Sequence, residues 1–369
     1  MKKFRRSIER VSIGASLVVF LVFLLAILIW TISPHTPNLP SPALKNLAAR
    51  HNVQLGNFAD LKMLNQKPYA DILTSQYAFV TIDGEPNWTF NDGSLRPGPN
   101  TFDFSNMDKV FAFAKDFNMP VQAHHLVWGE DKWLPAWLKD GKYTKAQLLN
   151  LIHQHIQTVA GRYKGRVREW TVVNEAFTRS QHIYGLHDWW ADHIGDQSYI
   201  DQSFIWAHQA DPNAKLLLND FNNESENSVS NAMYNYIKTA KARGIPIDGI
   251  GMQMHIDGTN PPKKDDVIKN MKRFGGLGVK VYVTEFDVNM GNVQGTSRQR
   301  DLKESAIYYD MARACIESAV CPSFAELGIT DKKSWYNDLG VKNADPLPFD
   351  GKYRPKPAFY SFRQAWQQN

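Results

Sequence analysis

Two carboxylates close apolar runs in this chain. Trp170-Thr171-Val172-Val173 stops at Asn174-Glu175, and the run 280–284 stops at Glu285. An apolar, β-branched stretch with a polar end reads as a buried parallel strand whose C-terminal end carries chemistry. By itself Asn174-Glu175 is also consistent with an exposed polar strand cap. With Glu285 at a second strand end, the pair describes glycosyl transfer. One carboxylate attacks an anomeric carbon while the other protonates the leaving oxygen, at a separation of about 5–5.5 Å. Like charges that close raise the proton affinity of one partner and keep an acid available near neutral pH. His255, two residues past Gln253 on the same strand face, is placed to hydrogen-bond the nucleophile. Each histidine taken singly also fits a structural role. A metal reading of His124, His125 and His255 is the weaker one, because a carboxylate pair needs no ion and no Cys/His cluster has zinc spacing. No metal and no cofactor are expected.

The elements that would hold these groups alternate along the chain. Strand-like runs are expected at 52–56, 77–81, 121–127, 168–174, 214–219, 249–255, 280–284 and 323–328. Amphipathic helices are expected at 107–117, 146–163, 200–210, 229–243, 267–274 and 299–316. Eight strands with intervening helices fit an α/β fold of a single (β/α)8 TIM barrel over 43–369. A doubly wound open sheet fits less well, since no glycine-rich phosphate fingerprint follows the first strand. Gly275-Gly276-Leu277-Gly278 precedes a strand and reads as a helix-ending turn. The expected strand ends collect His124-His125-Leu126-Val127-Trp128, Asn174-Glu175, Asn219-Asp220, Gln253-Met254-His255, Glu285-Phe286-Asp287 and Trp335 on one rim.

The 369 residues are 43% hydrophobic, 21% charged and 12% aromatic, a globular composition with material for one large barrel. The net charge is +5, and Lys2, Lys3, Arg5, Arg6 and Arg10 supply much of it, so no basic surface for nucleic acid remains. After this flank (1–10), the uncharged run 11–32 is long enough to cross a hydrocarbon core of about 30 Å. It is expected to be a transmembrane or signal-anchor helix with the basic flank in the cytoplasm and the rest exported. Secretion after signal cleavage is the alternative, although Thr31-Ile32-Ser33-Pro34 offers no small-residue cleavage motif. Residues 33–42, with four prolines, form an expected linker. In an exported protein Cys315 and Cys321 are expected to form a disulfide tying a helix end to the next strand.

In these motifs the chain resembles glycoside hydrolase family 10, the retaining endo-β-1,4-xylanases. Val172-Val173-Asn174-Glu175-Ala176 resembles that family's acid/base motif, and Val283-Thr284-Glu285-Phe286-Asp287 its nucleophile motif. Lys215–Asn222, Gly249–His255, the Cys-x5-Cys spacing and the stretch from Phe349 to Ala358 match as well. The resemblance implies Glu175 as acid/base, Glu285 as nucleophile, and Asn174, Gln253 and His255 as their supports. By the same token it implies that His124, Trp128 and Trp335 line the subsite of the sugar being cleaved. Glu85 and Asn87 would belong to the neighbouring substrate-binding segment.

That segment departs from the family. Asn87 stands where the family has a sugar-gripping lysine, and Asp83 and Gly84 where it has Glu and Asn. Gly129 replaces a histidine, and Leu327 an indole. The expected activity is therefore cleavage of internal β-1,4 linkages in xylan or a related β-glycan by double displacement. The expected partners are a β-linked polysaccharide or oligosaccharide and the membrane, with the protein a monomer. The competing readings are a carbohydrate-binding or sensing protein on a degenerate barrel and an unrelated barrel hydrolase.

Overall fold

Burial on both faces turns the apolar runs into strands. Leu216, Leu217 and Leu218 are all fully buried, as are Trp170, Val172 and Val173, which is what a parallel sheet sandwiched between helices and a filled interior requires. The computed structural model describes residues 37–83, 88–89, 94–182 and 186–368. Its strands are β1 (Gln54–Phe58), β2 (Phe79–Asp83), β3 (Val121–Trp128), β4 (Val167–Asn174), β5 (Lys215–Asp220), β6 (Gly249–Met252), β7 (His255–Asp257), β8 (Lys280–Asn289) and β9 (Ser323–Glu326). β1 to β6 pair in sequence, β6 pairs with β8, β8 with β9, and β9 returns to β1, every pairing parallel. The sheet thus closes into the expected eight-stranded barrel, and β7 is a short extension paired only with β8.

One expected strand needs correction. The run 249–255 is not continuous: it breaks after Met252, and Met254 takes a left-handed backbone, φ 58°. Gln253 and His255 therefore do not share a strand face. The run 280–284 instead continues to Asn289. The other strands lie within two residues of their expected bounds.

The six expected helices are present, and three carry reciprocal capping boxes: Thr144 with Gln147, Asn227 with Ser230, and Thr296 with Gln299. Lys145–Arg162 turns Leu148, Leu151, Ile152, Ile156 and Val159 inward at helical spacing. Two further helices, Lys67–Gln76 and Pro357–Gln367, begin with proline in the first turn. Proline there sacrifices only an amide that would be unpaired anyway. Phe362 of the last helix meets Phe324 of β9 at 5.3 Å and Tyr308 of Ser297–Ser318 at 5.7 Å. The helix Lys264–Gly275 ends in the glycine turn, with Gly278 at φ 76°.

The expected anchor 11–32 and the residues 33–36 lie outside the described residues. Among the described residues no helix is long and apolar enough to cross a membrane. Leu39 packs against the core, and Arg363 donates to the Pro42 carbonyl, so this stretch lies along the barrel.

The Cys315–Cys321 disulfide is formed, joining the end of the Ser297–Ser318 helix to the start of β9. Closing a short loop in the unfolded chain contributes about 2 kcal/mol. Replacing both cysteines by serine is expected to lower the urea-unfolding midpoint accordingly, and reductant to do the same to the native protein. An unchanged midpoint in both cases would contradict a stabilising role.

Candidate active site

The strands that deliver site residues are irregular shortly before they deliver them. Register shifts fall between His124 and Val127 in the β3–β4 pairing, between Thr171 and Val173 in β4–β5, and between Val283 and Phe286 in β8–β9. Such bulges re-aim side chains at the rim of a barrel. Asn174 is the last residue of β4, and Glu175 leaves it with φ 57° to start the short helix Ala176–Ser180. The peptide N–H of Glu175 donates to the Asn219 carbonyl at 2.8 Å, fixing the turn to the end of β5.

Glu285 lies on β8 facing donors from three other strands. Asn219 Nδ2 donates to its Oε1 at 2.8 Å, His124 Nε2 lies 3.2 Å from the same oxygen, and His255 Nε2 lies 3.4 Å from Oε2. Burial favours the neutral acid, but the two imidazoles and the amide outweigh it and hold this carboxyl below its ordinary value. His255 is oriented from behind by Asp287, whose Oδ1 is 3.1 Å from Nδ1. Burial opposes a charge on His255, yet Asp287 and Glu285 together push the imidazole well above its usual range. His124 sits against Thr171 Oγ1 at 3.1 Å, and burial lowers its proton affinity despite the facing carboxylates. His125 is different: neither ring nitrogen has a hydrogen-bond partner among the described residues. Its ring meets His124 at 4.6 Å and Trp128 at 4.7 Å, edge to face. Burial pushes it well below the usual imidazole value, so it is a neutral packing group behind the site.

Glu175 faces a different set. Its Oε2 accepts from Trp128 Nε1 at 2.8 Å and from Arg179 Nε and Nη2 at 3.0 and 2.6 Å, while Gln253 Nε2 reaches Oε1 at 3.2 Å. Gln253 also donates to Asn174 Oδ1 at 3.2 Å, and Asn174 accepts from Asn219 at 2.8 Å. A continuous chain of amides therefore connects the two carboxylates. Trp335, beside this network, is 37% exposed. Its Nε1 donates to Asp287 Oδ2 at 2.7 Å, and its ring lies 5.1 Å from that of His255.

The structure thus brings Glu175, Glu285, Asn174, His124, Trp128, Gln253, His255 and Trp335 together. Glu85 and Asn87 lie outside the described residues. Cys315 and Cys321 lie at the opposite end of β9 from this rim. Among the described residues no group of three or more His, Cys, Asp or Glu side chains could hold a metal ion. Arg179, Glu130 and Asp287 were not singled out as site residues from sequence. Arg179 follows Glu175 by four residues, the spacing of a helical ion pair, and that signal was available.

Gly129 acquires a reason. A Cβ there would stand 2.2 Å from Asp188 Oδ1 and 3.1 Å from the Trp189 backbone nitrogen. The start of the helix Trp189–Ile194 occupies the space that a side chain would use, with Trp189 N donating to the Gly129 carbonyl at 3.0 Å. Asp188 caps this helix and accepts from Tyr199 Oη at 2.6 Å, and burial pushes its carboxyl up to about 6.

Comparison with known proteins agrees with this geometry. A family model described as glycosyl hydrolase family 10 matches residues 43–365. Endo-1,4-beta-xylanase B of Thermotoga neapolitana is 34% identical over 333 residues, covering 88% of this chain and 92% of that protein. The crystal structure of native xylanase 10B from Thermotoga maritima superposes with a TM-score of 0.80 at 32% identity, covering 88% of this chain and 98% of its own. Xylanase 10B from Thermotoga petrophila, solved in complex with xylobiose, gives 0.80 at 32% identity over 90% and 99% of the two chains. The chain belongs to glycosyl hydrolase family 10 and is a xylanase-like glycosidase.

Proposed function

We propose that this protein hydrolyses internal β-1,4 linkages of xylan or a related β-glycan with retention of configuration. Glu285 is the nucleophile, Glu175 the acid/base. The observation that carries this reading is the unequal surroundings of the two carboxylates. Glu285 is held as an anion by His124, His255 and Asn219, the state a nucleophile needs. Glu175 stands across the amide chain where a leaving oxygen could be protonated.

In the first half-reaction a Glu285 oxygen bonds to the anomeric carbon as the glycosidic C–O bond breaks. The proton of Glu175 goes to the departing oxygen. In the second, water gives a proton to the Glu175 carboxylate, its oxygen bonds to the anomeric carbon, and the ester bond to Glu285 breaks. Trp335 supplies an apolar face for a pyranose ring, and Gln253 and Asn174 orient Glu175 and a sugar hydroxyl. The chemistry of the basic flank and the run 11–32 supports export with membrane anchorage, secretion after cleavage being the alternative.

Proton NMR of the first-formed product from xylo-oligosaccharide is expected to show the β anomer, whereas initial α anomer would contradict double displacement. Glu285→Gln is expected to abolish turnover while leaving saccharide binding measurable by calorimetry. Binding without turnover in the unmodified protein would favour the sensing reading instead. The pH dependence has a definite sign. Glu285 must be ionised to attack, and its lowered value places the acid limb of kcat/KM below the ordinary carboxylate value of about 4.3. His255→Asn removes one of the groups that hold the anion and is expected to move that limb upward. A limb that stays in place in this variant would show that His255 does not hold the carboxylate ionised.

A further inference from the structure

Three donors converge on one oxygen of Glu175. Trp128 Nε1 lies at 2.8 Å, Arg179 Nε at 3.0 Å and Arg179 Nη2 at 2.6 Å, all to Oε2. A carboxylate oxygen has two lone pairs in its plane, and three N–H donors leave no place on Oε2 for a proton. Among the described residues Oε1 receives only Gln253 Nε2, at the longer distance of 3.2 Å. Gln253 can keep donating to Oε1 after that oxygen gains a proton, because the second lone pair remains.

The guanidinium that imposes this asymmetry is itself held. Arg179 is 4% exposed, Nη2 also donates to Glu130 Oε2 at 2.7 Å, and its carbon lies 5.6 Å from the centre of the Trp128 ring. Glu130 lies just beyond β3 and Arg179 in the helix after β4, so the clamp spans two strand ends. Both guanidinium N–H groups converge on the single oxygen Oε2 and do not bridge the two carboxylate oxygens. With the Trp128 indole they pin the position of Oε2, while Gln253 on Oε1 completes the orientation of the carboxylate.

We propose that Arg179, anchored by Glu130, is a positioning residue that keeps Oε2 of Glu175 proton-free and makes Oε1 the oxygen that delivers and recovers the proton. The proposal rests on the assignment of Glu175 as acid/base. In glycosylation the proton passes from Oε1 to the glycosidic oxygen as the C–O bond breaks and the Glu285 ester forms. The carboxylate left behind is matched by the guanidinium already in place. In deglycosylation Oε1 takes the proton of the attacking water. Arg179 touches neither sugar nor reacting atom in either step, and acts only through the orientation of Glu175.

The test separates proton-dependent from proton-independent departure in the full-length protein. A 2,4-dinitrophenyl xylobioside needs no proton for its leaving group, whereas a xylo-oligosaccharide does. Arg179→Gln is expected to lower kcat/KM on the oligosaccharide at least about tenfold while the dinitrophenyl substrate changes by less than about twofold. Glu130→Gln, which leaves Glu175 and Arg179 in place but loosens the clamp, is expected to give a smaller loss with the same selectivity. It carries the test if Arg179→Gln fails to fold. Glu175→Ala serves as control for the underlying reading: it must show the same selectivity in stronger form. If Glu175→Ala lowers both substrates alike, the acid/base assignment fails. If Glu175→Ala is selective but the folded clamp variants lower both substrates equally or neither, the positioning role is overturned.

Discussion

The site depends on the amide of Asn219. This fully buried side chain sits at the end of β5, and its nitrogen donates to Asn174 Oδ1 and to Glu285 Oε1, both at 2.8 Å. Its oxygen accepts from Thr284 Oγ1 at 2.7 Å, so the hydroxyl beside Glu285 sets which way the amide points. One group therefore fixes the end of β4 relative to β8, strands that are not neighbours in the sheet. Only a closed barrel brings them within reach of a shared donor. The next strand makes room for it: a Cβ at Gly251 would lie 1.8 Å from Asn219 Oδ1. Hydrogen bonds to a buried charged group are worth about 1.5–3 kcal/mol, and an unpaired carboxylate in this interior would be far more costly.

From that fixed point the two carboxylates acquire opposite surroundings. Glu285 is met by imidazoles, one of them backed by Asp287, which in turn accepts from Trp335 and Tyr336. The charge of Glu285 is thus tied, through His255 and Asp287, to the side chains of Trp335 and Tyr336. Glu175 is met by an indole and a guanidinium, and the second carboxylate on that guanidinium, Glu130, keeps it from moving freely. Asp220, directly behind, is a buried carboxyl pushed up to about 7 by burial, and it holds the Phe177 and Thr178 amides of the helix that carries Arg179. Positioning in this site is therefore done by buried polar groups, beside which Trp335 stands as an exposed side chain.

Much of this was legible in the sequence because it rests on burial and on strand ends. Leu216-Leu217-Leu218 and Trp170 through Val173 are runs that only a doubly covered strand would use, and the polar residues following them land on one rim. The cysteine pair followed from export chemistry and spacing. What was hidden depends on backbone irregularity and on pairing across elements. Periodicity does not announce that β6 stops at Met252 and that His255 belongs to a separate segment on β8. The helices Lys67–Gln76 and Pro357–Gln367 are not among the expected ones, and each opens with a proline in its first turn, a start that hydrophobic periodicity does not mark. Arg179 and Glu130 lie on different elements, so neither shows its role until the chain is folded. The exclusion of a side chain at Gly129 comes from a segment nearly sixty residues away in sequence, which no local pattern reports.

The central claim is that Glu285, held ionised by His124, His255 and Asn219, forms the covalent bond to the sugar. A 2-deoxy-2-fluoro xylobioside with an activated leaving group slows the second half-reaction and leaves that bond in place. Mass mapping of proteolytic peptides after such treatment is the most direct measurement. The account predicts one added glycosyl unit, located on the peptide containing Glu285. A label on another carboxylate, or none while the enzyme still turns over the unfluorinated substrate, would contradict it.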